Sequence, residues 1–84
     1  MRNKREIYET RLPSRAIAIY LYLYDRTDAE GTCFPSVKTI ARELNLSMRT
    51  VQRGVGDLVS EGYLEKEVRW RENGGRSSNL YRLV

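Results

Sequence analysis

The sequence predicts an α+β fold in which a closely spaced pair of helices precedes a β-hairpin. Three observations carry that reading: a helical apolar stripe over residues 37–44, a second over 51–59, and a change to period-two alternation from Leu64 onward. Val37, Ile40, Ala41 and Leu44 stand at i, i+3, i+4 and i+7, one face of a helix. Ser36 is placed to cap its start, because a serine oxygen there accepts from a free backbone N–H, and Pro35 disfavours helix further back. Asn45 ends it, since asparagine tolerates the left-handed conformation of a C-terminal turn. Leu46 turns inward and Ser47 is placed to cap a second helix, expected over about Ser47 to Glu61. Val51, Val55, Leu58 and Val59 form its buried stripe, and Gly62 stands where a departing chain needs positive φ.

At about 100° per residue, Arg49, Arg53, Gly56 and Ser60 fall opposite that stripe, with Gln52 and Asp57 at its margins. A merely solvated face would look similar. The helix start nevertheless has groove-reading chemistry: arginine donates twice to guanine O6 and N7, and glutamine pairs with adenine N6 and N7. The short Asn-Leu-Ser turn ties this helix to a supporting one, which favours DNA over plain solvent. Met48, Arg49, Gln52 and Arg53 are expected to meet bases, and Thr50 with Ser36, Lys38 and Thr39 to hold phosphates. Ser47 belongs to the same DNA-facing set.

Beyond the helices, Leu64, Val68 and Trp70 share one strand face, interrupted by Lys66, while Glu65, Glu67, Arg69 and Arg71 share the other. Asn73-Gly74 supplies a hairpin turn and Gly75 adds slack. A returning strand is expected from about Ser78 to Val84, with Leu80, Tyr81, Leu83 and Val84 able to bury surface. Arg71, Asn73, Arg76, Ser77 and Ser78 make the tip basic and polar, suited to phosphates or a minor groove; a solvent-exposed turn is the competing reading.

Thr39-Ile40-Ala41-x-x-Leu44-Asn45-Leu46-Ser47-x-x-Thr50-Val51 resembles the helix-turn-helix signature, and Leu58-Val59-Ser60-Glu61-Gly62-Tyr63-Leu64 resembles an exit into a wing. Leu12-Pro13-Ser14-Arg15-Ala16 followed by Gly31-Thr32-Cys33-Phe34-Pro35-Ser36 is similar to the winged-helix domains of bacterial, plasmid and phage replication initiators and related small regulators. The resemblance spans about residues 12 to 84 and is more specific for fold than for process. It implies a winged helix-turn-helix with a three-helix core and a C-terminal two-stranded β-hairpin wing. The whole chain, 1–84, would be one such domain, with 1–11 as an N-terminal extension.

Two positions depart from the family. It usually has alanine at Gly54 and a polar helix former at Gly56, and each glycine costs about 1 kcal/mol relative to alanine. Close helix packing accounts for Gly54. Gly56 points outward, where a missing side chain either admits a phosphate or partner or is a tolerated weakness.

Residues 16–24 are an unbroken apolar and aromatic run whose local pattern reads as a strand. The resemblance instead implies a helix from about Ser14 to Arg26, covering the other two. Ile17, Tyr20, Leu21 and Tyr24 would make one stripe, with Ile19, Tyr22 and Leu23 around the remainder. One face should enter the core and the other should meet the N-terminal segment or a partner. A homodimer through Tyr20, Tyr22 and Tyr24 is therefore one expectation. The run is too short to span a bilayer, which takes about 18–20 residues, and no small-residue cleavage site follows it. A cytoplasmic location is expected, and the lone Cys33 agrees, as a small buried side chain in a short first strand.

The 84 residues carry 15 Lys and Arg against 11 Asp and Glu, a formal charge of +4. Residues 1–35 hold six basic and five acidic side chains and residues 36–84 nine and six, so the excess lies on the DNA-facing half. Histidine is absent, the only thiol has no base beside it, and no phosphate loop or metal-ligand cluster occurs. Glu65 and Glu67 share a strand face, but Lys66 and Arg69 beside them fit a solvated strand better. The expectation is no enzyme, no cofactor, no metal, no membrane and no small-molecule ligand; the expected partner is double-stranded DNA. Three roles fit: a small transcription regulator or excision factor, the DNA-binding module of a replication initiator, or a winged helix used for protein interaction through its tyrosine-rich helix.

Overall fold

Pro13, extended at φ −61° and ψ 155°, opens the first long helix, α1, which runs over Ser14–Arg26. The computed structural model describes residues 4–67 and 79–84. After α1 come β1 (Thr32–Cys33), α2 (Val37–Leu44), α3 (Met48–Ser60), β2 (Leu64–Glu67) and β3 (Leu80–Leu83), and a 3-10 helix at Lys4–Glu9 precedes them all. The strands form one antiparallel sheet in the order β1-β3-β2. Thr32 is opposite Arg82 on one side of β3, and Leu64 is opposite Leu83 on the other.

The strand-like pattern of residues 16–24 loses to packing. Ala16, Ile19, Tyr20 and Leu23, spaced i, i+3, i+4 and i+7, are buried against Ile40, Val51, Val55, Leu58, Leu64 and Tyr81. Fully burying a side chain of that size is worth about 1.5–3 kcal/mol, far more than a local β preference. The expected stripe of Ile17, Tyr20, Leu21 and Tyr24 is therefore corrected: only Tyr20 of the four is in the core, and the other three are half-buried. A helix apolar on every side has no unique stripe, so its neighbours choose the face.

The N-terminal extension covers part of what remains. Ile7 is fully buried in the core. Lys4 Nζ donates to Asp25 Oδ1 at 3.0 Å and lies 5.5 Å from the centre of the Tyr24 ring.

Two other expected core residues are exposed. Val59 is 41% exposed because it lies on a flank of α3 that no element among the described residues covers, about 100° from Leu58. Val84 follows the end of β3 and is also exposed, although its N–H donates to the Tyr63 carbonyl. Cys33 is buried in β1 as expected. Val68, Trp70 and the hairpin tip, with Arg71, Asn73, Arg76 and Ser77, lie outside the described residues.

Candidate nucleic-acid interface

A serine caps the start of each of α2 and α3. Ser36 Oγ accepts from the Thr39 N–H at 3.0 Å and donates to Thr39 Oγ1. Ser47 repeats this on α3, accepting from the Thr50 N–H at 3.0 Å and donating to Thr50 Oγ1 at 2.8 Å. Between them Asn45 takes the left-handed conformation, φ 57° and ψ 43°, and the Leu46 N–H closes on the Ala41 carbonyl at 2.9 Å.

The start of α3 is thereby fixed against a buried rear. Val51, Val55 and Leu58 face the core, and Gly54 lies against α1. A methyl at Gly54 would collide with Ile19 Cδ1 and sit 3.4 Å from the Arg15 carbonyl oxygen, so the close-packing account of this glycine holds. Arg15 Nε donates to Asp57 Oδ2 at 2.9 Å, pinning the second half of α3 to α1. At Gly56 a Cβ would meet nothing within 4 Å. Gly62, with φ 81°, releases the chain toward β2 as expected.

Met48, Arg49, Gln52 and Arg53 are all exposed on the first two turns of α3. Lys38 and Ser47 are exposed, and Ser36, Thr39 and Thr50 are half-buried beside them. The fold thus gathers nine of the expected residues around the ends of two capped helices. No acidic residue occupies the first turn of either α2 or α3, so neither helix offsets the positive end of its own dipole with a carboxylate there.

The tyrosines expected at a dimer face have partners within the chain. Tyr20 is 1% exposed and packs edge-on against Tyr63, which removes it from any surface; that expectation is corrected. Tyr22 donates to Glu43 Oε2, and Arg26 reaches the same carboxylate while lying 4.5 Å over the Tyr22 ring. Burial and the Glu43 hydrogen bond push the Tyr22 hydroxyl up to about 12, and the Tyr22 bond and the Arg26 charge hold Glu43 below its usual value. This bracket ties α1 to α2. It was not anticipated, because no spacing along one helix reveals a contact across two.

Burial pushes the Cys33 thiol up to about 11, away from the thiolate form. Glu65 pairs with Arg82 at 3.5 Å across exposed strands. Among the described residues no group of three or more metal-ligating side chains is placed to hold an ion, and no helix is long and apolar enough to cross a membrane.

A supporting helix, a left-handed turn and a second helix that presents its opening turns to solvent form the framework by which helix-turn-helix modules meet DNA. The protein is of this DNA-binding class. The helix-turn-helix domain family matches residues 10–64, and the chain belongs to that family.

Among curated proteins the chain is similar to Protein YmfN of Escherichia coli (strain K12), 37% identical over 59 residues that make up 70% of this chain and 13% of YmfN. Among solved structures it resembles a "Possible transcriptional regulator" from Methanosarcina mazei Go1, with a TM-score of 0.72 and 17% identity. That likeness covers 95% of this chain and 64% of the other, and at such identity it establishes the winged-helix fold. The chain therefore spans a small part of YmfN and under two thirds of the Methanosarcina chain.

Proposed function

We propose that the protein binds double-stranded DNA sequence-specifically as a small transcription regulator, a binding protein and not an enzyme. One observation carries the reading: Arg49, Gln52 and Arg53 are exposed together at the start of a helix whose opposite face is buried and whose first turn is capped. Arginine and glutamine at those positions have the donors and acceptors that distinguish guanine and adenine in a major groove. Lys38 and the hydroxyls of Thr39 and Thr50, beside two helix N-termini, suit the flanking phosphates. Arg71, Asn73, Arg76 and Ser77 would grip the neighbouring backbone as a wing. The likeness to a possible transcriptional regulator of Methanosarcina mazei supports a regulatory role.

A second reading, the DNA-binding module of a larger protein such as a replication initiator, draws support from the 13% share of YmfN that the chain matches. Residues 1–84 would serve as one domain in either case, in the cytoplasm.

Selection of preferred sites from a random duplex pool at fixed ionic strength tests the proposal. A defined motif is expected, palindromic if the protein acts as a homodimer. Retention without any sequence preference, or none at all, would overturn it.

A further inference from the structure

The outward surface of α3 has two flanks of different chemistry. Arg49 and Arg53, one turn apart, make the charged one. Met48 and Gln52, also one turn apart, make the other, and neither of these carries a charge. Met48 is 50% exposed, and it is the first residue of the helix, where the Ser47 cap holds the backbone. Val59, the other exposed apolar side chain of α3, stands eleven residues further on, about 16 Å along the axis and away from the groove-facing turns.

In a major groove the base edges are mostly polar, and beyond the small C5–H of cytosine the one projecting apolar group is the C5 methyl of thymine. A thioether pressed against guanine, cytosine or adenine would strip water from a donor or acceptor without replacing its hydrogen bond. Against thymine it buries methyl on methyl, and the flexible methionine side chain adapts to the fit. Met48 and Gln52 are about 6 Å apart along the helix, close to two steps of a duplex rising about 3.4 Å per base pair.

We infer that the DNA site contains a thymine whose C5 methyl group meets Met48, one or two base pairs from an adenine paired by Gln52. This rests on the DNA-binding reading above and adds base identity to one flank of the recognition surface. The A·T pairs lie on the Met48 side, and the guanines on the Arg49 and Arg53 side.

The test uses the duplex chosen by the random-pool selection, with each thymine replaced in turn by deoxyuridine, which deletes one methyl group and leaves every hydrogen bond in place. One replacement should weaken the intact protein about three- to fivefold, the cost of one buried methyl. Met48→Ala should bind the two duplexes equally. Being exposed, this substitution leaves the core alone, and an unchanged circular dichroism spectrum and melting temperature confirm it. Gln52→Ala should relax the preference at the neighbouring A·T pair. If no thymine shows a loss that depends on Met48 while a clear motif persists, the inference fails and the DNA-binding reading stands. If no motif emerges at all, the reading beneath it fails first.

Discussion

The start of α3 exposes Met48, Arg49, Gln52 and Arg53 and has no acidic residue in its first turn, whereas its last turn has no basic residue and closes on Asp57, Ser60 and Glu61. Those three residues, with Glu6, Glu9, Arg11 and Tyr63, line a groove of about 800 Å³ between the helix end and the N-terminal extension. The macrodipole reinforces the contrast, being positive where the arginines are and negative where the carboxylates gather. A polyanion would therefore be drawn to the start of this helix rather than to its end, even with Arg15 paired to Asp57 and Arg11 lining the groove. On the proposed reading, a domain with a formal charge of only +4 would gain an orientation on DNA that its net charge alone would not give.

The largest way to break this contrast is at the basic end. Arg53→Ala should cost about 1–3 kcal/mol of binding and relax one base preference if the arginine pairs with guanine, measured by titration against the selected site and its single-base variants. Equal loss on all sequences would make it a phosphate contact.

Between the ends, Gly54→Ala should destabilise the fold by about 1–2 kcal/mol in urea, since overpacking against buried Ile19 outweighs the gain in helix propensity. Adding Ile19→Val removes the colliding methyl and should recover part of the loss. Gly56→Ala is the contrasting case: with open space around it, stability should rise by up to about 1 kcal/mol. Weaker DNA binding by that variant would mean that a phosphate or partner approaches the backbone there.

Ser47→Ala should cost about 1 kcal/mol of stability by uncapping the basic end. Its effect on DNA should exceed that of Ser36→Ala if α3 supplies the base contacts.

The smallest expected effect lies away from both ends, in the bracket of Tyr22, Glu43 and Arg26. Raised to about 12, the Tyr22 hydroxyl contributes stability that is complete below its ordinary value of 10.0 and is lost as pH rises through about 12. Glu43, held low, contributes stability present above its ordinary 4.5 and lost as pH falls below it. Thermal melts across both windows should show these slopes, and Tyr22→Phe should reduce the alkaline one, leaving the share of the raised Cys33 thiol between its ordinary 9.0 and about 11.

Much of the candidate site was legible because it is local. The serine caps, the left-handed Asn45 and the exposed residues of the first two turns of α3 each follow from a few neighbouring side chains. The buried rear of α3 followed from periodicity up to Val59, which that pattern placed inside because it cannot tell which flank lacks a neighbour. For α1 the local alternation pointed to a strand, and family resemblance supplied the helix; its true core face emerged only from the packing of Ile19 and Tyr20. The burial of Ile7 was illegible for a related reason: it stands beside Tyr8 among charges and becomes core only once α1 exists next to it. The pairings of Arg15 with Asp57 and of Tyr22 with Glu43 span 42 and 21 residues, beyond any periodic signal.

The sheet order carries a consequence for how the protein is made. β3 lies between β1 and β2, yet it follows both in the chain. On a ribosome, Thr32 and Leu64 would emerge from the exit tunnel well before the strand that pairs with each of them. Synthesis at about 5–20 residues per second leaves both waiting with open edges, so sheet closure must come after Leu80–Leu83 clear the tunnel.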